Sequence, residues 1–335
     1  MKKIIYTIVL LIIISNLIYS QNNDSLENKM NNYIEKVKLN WKYNPLRTYE
    51  TDKYFSPWLD PYNYNTSFWL GDILNDQQLY PNKFKLQNIL LYFDPKLAVD
   101  LSPIAFNINS DKHRFRIGVA YSVKLFLGSY AKGKDQLYGE TFLFGDYMQV
   151  EVYFEYIYNN KLKIRFAPLR HTCYHMGGDI FGDENLYNKN EEEFRDFGFE
   201  QMHLSAYYRW GWFSFYGGTS FAISGFNMTS LINLFNIYAG AEVRIPLWGE
   251  ISLMTGIYVG AFFDSLSTIR RTQGYVQGYD IIEKHNEWTP SISTGIGFEI
   301  YRVILGVKYE YGRSKQVYSF RKTESRIGLE ASLFF

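Results

Sequence analysis

The chain has 335 residues, a formal net charge of +1 and a single cysteine. A near-neutral charge offers no attraction to nucleic acid or to an acidic partner, and one cysteine excludes an intramolecular disulfide framework. Aromatic residues make up 19% of the chain, with 30 Tyr and 26 Phe, while Pro is scarce at 9; that balance favours strands and the aromatic girdles with which barrels meet lipid headgroups.

Taken in order, the first element is a targeting segment. Lys2 and Lys3 precede the apolar run Ile4 to Ile14, followed by a short tail to Ser20. This is the pattern of a secretory signal, residues 1–20, although Ile18 is not the small residue usual three positions before cleavage. The run is short for a transmembrane helix, and no other stretch approaches one. A secreted chain without such a helix spans a membrane as a closed barrel or not at all.

Residues 21–83 form a periplasmic N-terminal extension on this reading. Leu26, Met30, Tyr33, Ile34 and Val37 recur at helical spacing, which predicts a short amphipathic helix. An aromatic, Pro-containing segment from Phe55-Ser56-Pro57-Trp58 to Trp69-Leu70 follows without clear period. It is expected either to fold against the mouth of a barrel or to remain a leader.

From about residue 84 the period is two. Phe115, Ile117, Val119, Tyr121, Val123, Leu125 and Leu127 share one face, opposite Arg116, Gly118, Ala120, Ser122 and Lys124. An apolar stripe opposite basic and small residues predicts lipid on one side and a polar lumen on the other. The same pattern recurs over 233–245, 289–301 and 302–312. Strands are predicted at 84–93, 97–107, 113–130, 147–158, 161–175, 197–210, 211–222, 233–245, 250–264, 289–301, 302–312 and 324–335, with Pro95 and Pro103 interrupting the first two. The last alternates Ile327, Leu329, Ala331, Leu333 and Phe335 on its apolar face, the pattern of a closing strand that barrel-assembly machinery recognises. Long connections at 131–146, 176–196, 223–232, 265–288 and 313–323 alternate with short ones near 108–112, 159–160, 210–211, 246–249 and 301. Long loops outside and short turns in the periplasm are the barrel rule. The fold class predicted is therefore all-β: a transmembrane antiparallel up-and-down β-barrel of about twelve strands, residues 84–335, integral to a bacterial outer membrane.

Chemistry concentrates in Arg170-His171-Thr172-Cys173-Tyr174-His175-Met176-Gly177-Gly178-Asp179. At period two His171, Cys173 and His175 share a face. Lys163 and Arg165 have the same parity, so unbroken alternation puts the row in the lumen; a bulge near Pro168 would move it to lipid. Three readings stand. A histidine two residues from a thiol can activate it as a nucleophile. The row, with Asp179, can bind a soft divalent metal, although spacing on one strand allows two adjacent ligands and not a complete site. Or the three side chains belong to the polar network that a barrel interior needs. His203, in a row with Gln201, Ser205 and Arg209, is expected beside His171 across the hairpin, as the group that orients a base. Asp183-Glu184 and Glu191-Glu192-Glu193 read as a solvated loop face, with a divalent-cation site near lipopolysaccharide-like headgroups as the alternative.

His171, Cys173, His175, Gly177 and Asp179, with Tyr311-Gly312-Arg313-Ser314 and the aromatic-ended last strand, resemble an uncharacterised family of Gram-negative outer-membrane barrels. Its motif is similar to His-x-Ser-Ser-His-x-Gly-Asp-Glu. Here Cys173 stands at the serine position and Gly178 where that family has Asp, and the likeness spans about residues 85–335. The His-x-Ser spacing is also similar to that of outer-membrane phospholipase A and of lipid A deacylases, which implies a His171–Cys173 pair acting on ester bonds of outer-leaflet lipids. Two function classes follow: a barrel with a structural, binding or solute-passage role, the expectation favoured by the lumen parity, or a membrane-embedded acyl-ester hydrolase using Cys173, His171 and His203. No cofactor is expected in either case, and the expected partners are outer-membrane lipids and the assembly machinery.

Overall fold

A computed structural model describes residues 50–75, 89–108, 112–130, 140–176, 196–224, 231–272, 278–314 and 323–334. The expected signal, the helix over Leu26–Val37, the acidic runs at 183–193, Gly177–Asp179 and Phe335 lie outside these residues. Twelve antiparallel strands close into a barrel: β1 Thr66–Ile73, β2 Ile89–Ile108, β3 His113–Tyr130, β4 Glu140–Tyr158, β5 Leu162–Met176, β6 Asp196–Trp210, β7 Phe213–Ala222, β8 Leu231–Trp248, β9 Ile251–Thr272, β10 Gly278–Ile300, β11 Val303–Arg313 and β12 Thr323–Leu333. Each strand pairs with the next, and β1 closes the barrel on β12. Among the described residues no helix is long and apolar enough to cross a membrane.

The number of strands agrees with the sequence reading, but the first members differ. The described parts of the two strands predicted at 84–93 and 97–107 belong to one strand, β2, Ile89–Ile108, and the barrel begins earlier, at Thr66. Pro103 does not end β2 because it sits in a bulge, where the register shifts between Leu101 and Ile104 and no ladder donor is needed from it. The missing strand, β1, was hidden in the aromatic segment assigned to the extension.

Alternation sorts the side chains as the period predicts. On β3, Arg114, Arg116, Ala120 and Ser122 are buried while Val119 and Tyr121 are exposed. Leu97, Phe154, Leu204, Ile237, Ile257, Ile296, Leu305 and Leu329, from different strands, continue an exposed apolar belt around the barrel, the surface that a bilayer covers. At one end the strands join through tight turns. Asn159 and Asn160 take φ of 51° and 54°, Gly211 59°, Gly249 54° and Tyr301 56°; Asn and Gly tolerate this left-handed region, as hairpin turns require. Trp210, Trp212, Trp248 and Tyr301 project into solvent or lipid around that rim, Trp248 with 83% exposure, which is where a membrane interface places amphipathic rings.

The lumen is occupied. Residues 50–65, beginning with the 3-10 turn Glu50–Phe55, run inside the barrel and not against its mouth, which corrects the expected periplasmic placement of this part of the extension. The wall grips the segment largely through its backbone. Lys163 Nζ donates to the Phe55 carbonyl at 2.7 Å, Arg244 Nη2 to that of Lys53 at 3.1 Å, and Lys308 Nζ to that of Trp58 at 3.2 Å. The Leu59 amide donates to Glu242 at 2.7 Å, and Asp52 pairs with Arg116 at 3.0 Å. Trp58 is 0% exposed and donates through Nε1 to Glu330 at 2.8 Å. Its ring fits because Gly295 and Gly306 have no side chains: a Cβ there would lie 2.9 and 2.7 Å from the ring's Cη2.

Candidate functional site

Strand β5 changes face in mid-course. Lys163, Arg165 and Ala167 are buried, and then Arg170, Thr172 and Tyr174 are buried, so the inward row switches from odd to even numbers. Between Ala167 and Arg170 the strand holds two residues where β6 has one, and the β4 ladder shifts at the same place. The extra residue is a bulge at Pro168–Leu169, where Pro, lacking an N–H, costs the ladder no bond. A one-residue slip that removed the bulge would carry Arg170 to lipid, which costs about 2–4 kcal/mol at the midplane and less towards an interface.

The bulge corrects the main expectation from simple alternation. His171, Cys173 and His175 lie on the outer face, near the end of β5 remote from the tight turns. It also corrects the expected place of His203. That side chain is buried in the lumen, on the opposite side of the sheet from His171. Its Nδ1 contacts the guanidinium of Arg170, and its Nε2 shares a hydrogen bond of 2.9 Å with the Tyr238 hydroxyl. His203 belongs to the interior polar network and does not orient His171.

The group that does so is Glu200, which sequence reasoning missed. It faces outward on β6, directly across the ladder from His171. Its Oε1 lies 3.1 Å from His171 Nδ1, with both side chains about one-third to two-fifths exposed. Glu200 is itself held by Ser224, whose Oγ accepts its amide hydrogen bond at 3.1 Å. A signal for Glu200 existed: Met202, Leu204, Ala206 and Tyr208 complete its outward row, and a carboxylate is out of place among them. A second acid–imidazole pair stands nearby, His175 Nδ1 with Asp146 Oδ1 at 2.7 Å.

Cys173 lies between the two histidines, 9% exposed. Its ladder partners are Met148 on β4 and Gly198 on β6. The His171 ring leans over Gly198: a Cβ on that glycine would be 3.1 Å from Cε1 and 3.4 Å from Nε2. Gly198 is directly opposite Cys173 in the ladder, so the ring lies over the residue across from the thiol while Glu200 holds its Nδ1 edge. Among the described residues no cluster of three His, Cys, Asp or Glu groups is placed to hold a metal ion. Arg313 of the second motif faces Asp264 and donates to Thr289 Oγ1 at 2.7 Å, and Ser314 donates to Glu324 at 3.0 Å; these are buried contacts, apart from the β5–β6 site.

Fold and site together define a plugged, membrane-spanning β-barrel with an acid–histidine–thiol row on its lipid face. No protein-family model and no curated protein matches the chain, so the likeness to the uncharacterised barrel family rests on the motif residues alone. Among solved structures, the outer membrane phospholipase A from Escherichia coli is 10% identical, over 86% of this chain and 98% of that one, with a TM-score of 0.47. The Salmonella typhi outer membrane phospholipase dimer with bound calcium is 10% identical over 82% and 92%, at 0.46. LpxR from Salmonella typhimurium is 11% identical over 81% and 100%, at 0.36. These likenesses concern the barrel architecture only.

Proposed function

We propose that the chain is an outer-membrane acyl-ester hydrolase whose nucleophile is Cys173, with His171 as base and Glu200 orienting the imidazole. The observation that carries this reading is the bulge at Pro168–Leu169, which turns His171 and Cys173 to the lipid face. The parity that favoured a lumen network applies to His203 and not to them. Solute passage loses support because residues 50–65 fill the lumen, and the cavity between this segment and the wall is about 50 Å3, room for no more than a few waters.

The chemistry follows from the positions. Nε2 of His171 takes the thiol proton as Sγ attacks an ester carbonyl, since the thiolate is the reactive form. The tetrahedral adduct collapses, the C–O bond breaks, and Nε2 returns the proton to the leaving alcohol oxygen. Water, deprotonated by Nε2, then cleaves the thioester and restores the thiol. Glu200 keeps Nδ1 protonated and stabilises the imidazolium that forms in each half. The substrate class is an ester-linked acyl lipid, because exposed Phe166, Leu169 and Leu204 continue from the site along the apolar belt, where an acyl chain lies. The test is fatty-acid release from phospholipid or lipid A by the purified barrel in micelles, with the thioester trapped on Cys173 and discharged by hydroxylamine. Neither fatty acid nor a Cys173 adduct, from a folded barrel, would refute the assignment.

The tight-turn end, with its Trp rim, faces the periplasm in this reading, and the site then lies near the outer leaflet. A tag inserted at 183–193 is expected to react with protease added to intact cells, and one at 159–160 or 247–248 to be protected. Cleavage of the second pair in sealed cells would invert the orientation and move the site to the inner leaflet.

A further inference from the structure

The residues that choose which face of β5 meets lipid lie inside the barrel. Arg165 and Arg170 are an odd number of residues apart, so in an unbroken strand they would point to opposite faces. Both instead grip the same carboxylate. Arg165 Nη1 donates to Glu151 Oε1 at 3.0 Å, and Arg170 donates to Oε2 through Nε at 2.9 Å and Nη2 at 2.7 Å. All three side chains are buried. Glu151 pairs with Arg170 in the β4–β5 ladder, and Arg165 reaches it from the other side of the bulge. The arrangement is braced at both ends. Arg165 Nη2 also donates to Asp100 at 2.7 Å and Glu155 at 3.0 Å, and Arg170 touches His203, which in turn is bonded to Tyr238.

We infer that the Arg165–Glu151–Arg170 clasp is the positioning device of the outer site: by holding two arginines from opposite sides of the bulge on one carboxylate, it keeps the extra residue at Pro168–Leu169 and so keeps His171, Cys173 and His175 turned to lipid. Without the clasp, the end of β5 is free to slip by one residue. A slip exchanges the two rows of a strand completely. Tyr174 would leave its packing with Tyr147 and Phe199, and the His–Cys–His row would enter the lumen. These are positioning residues; none touches the reacting atoms. The inference gives the proposed hydrolase its control element, but the orientation of Cys173 is measurable whether or not the protein hydrolyses lipid.

Cys173 is the only cysteine of the chain, so its orientation is read by labelling with a maleimide dissolved in the bilayer of proteoliposomes. The wild type is expected to label from the lipid phase. Glu151→Gln and Arg170→Leu are expected to lose most of that rate while still migrating as folded barrels. Glu299→Gln, which weakens the distant buried pair with Arg244, is expected to label like the wild type and so controls for general loosening. Deleting Pro168 supplies a rescue. It removes the extra residue from both ladders, leaves Arg170 inward and Cys173 outward by plain alternation, and makes the clasp unnecessary. The deletion alone should label like the wild type, and combined with Glu151→Gln it should restore labelling. Lipid-phase labelling retained in folded Glu151→Gln and Arg170→Leu would overturn the inference. So would failure of the Pro168 deletion to restore it in a folded double variant. If the single variants do not assemble, the deletion background decides. Absence of hydrolysis with the labelling pattern intact would sink the hydrolase reading and leave the clasp standing.

Discussion

Cys173→Ala is expected to bring fatty-acid release to the background rate of empty micelles while the barrel still migrates as a folded species. The thiol makes no hydrogen bond among the described residues, and its side chain is small, so its loss leaves the ladder with Met148 and Gly198 unchanged. His171→Ala is expected to lower the rate by about 10²–10⁴-fold, the usual worth of a positioned general base. Glu200→Gln retains a group opposite Nδ1 but loses the charge that stabilises the imidazolium, and is expected to fall between these and the wild type. Cys173→Ser should keep measurable turnover, because the hydroxyl can use the same base. His203→Ala is the internal control. It lies on the lumen face, so its effect should follow stability and not the chemical step. Each rate is read on lipid micelles at matched amounts of folded barrel. Equal release by wild type and Cys173→Ala would rule out the thiol as nucleophile, and a loss in His203→Ala as deep as in His171→Ala would contradict the assignment of faces.

The second large effect concerns the lumen segment. Trp58→Ala empties the niche over Gly295 and Gly306 and takes a hydrogen bond from Glu330, which Lys308 and Ser332 also contact. Truncating a buried aromatic of this size costs about 3–5 kcal/mol. The wall's bonds to the Lys53, Phe55 and Trp58 carbonyls survive the substitution, so the barrel should still form but unfold at a clearly lower temperature in detergent. Removing residues 50–64 leaves Lys163, Arg244 and Lys308 without these carbonyl partners and facing an emptied lumen, where water can hydrate them. Planar-bilayer recordings are expected to show a closed wild type and a conducting deletion variant. An unaltered melting temperature for Trp58→Ala, or a deletion variant as closed as the wild type, would mean that the segment does not plug the barrel.

Much of this architecture was legible in the sequence, and the reason is local. A strand buried on one side and lipid-covered on the other must alternate, and β3, β8, β10 and β12 do so over long runs. The tight turns were legible too, as short gaps between alternating runs near 159–160, 210–211, 246–249 and 301, where Asn159, Asn160, Gly211 and Gly249 take a backbone region that most residues avoid. β1 was not. Its inward Trp69 and Ile73 are as apolar as its outward Phe68 and Leu70, because the inward pair packs in a filled lumen. Arg326 stacks 3.7 Å above the Trp69 ring, for example. The lumen path of residues 50–65 was equally silent, since Trp58 gains its place from glycines on β10 and β11, far away in the chain.

The candidate site divides along the same line. The sequence by itself determined that His171, Cys173 and His175 share one face of a strand, that His203 shares a row with Gln201, Ser205 and Arg209 on the next one, and that a closed barrel carries them all, because alternation depends only on neighbours along the chain. The tertiary structure alone decided which face is which. A bulge reverses the parity of everything beyond it, and its presence depends on Arg165 and Arg170 meeting one carboxylate on the adjacent strand. Glu200 in turn meets His171 only because the β5–β6 register sets them opposite each other. Register and bulge are properties of paired strands, fixed by contacts between residues that the sequence separates.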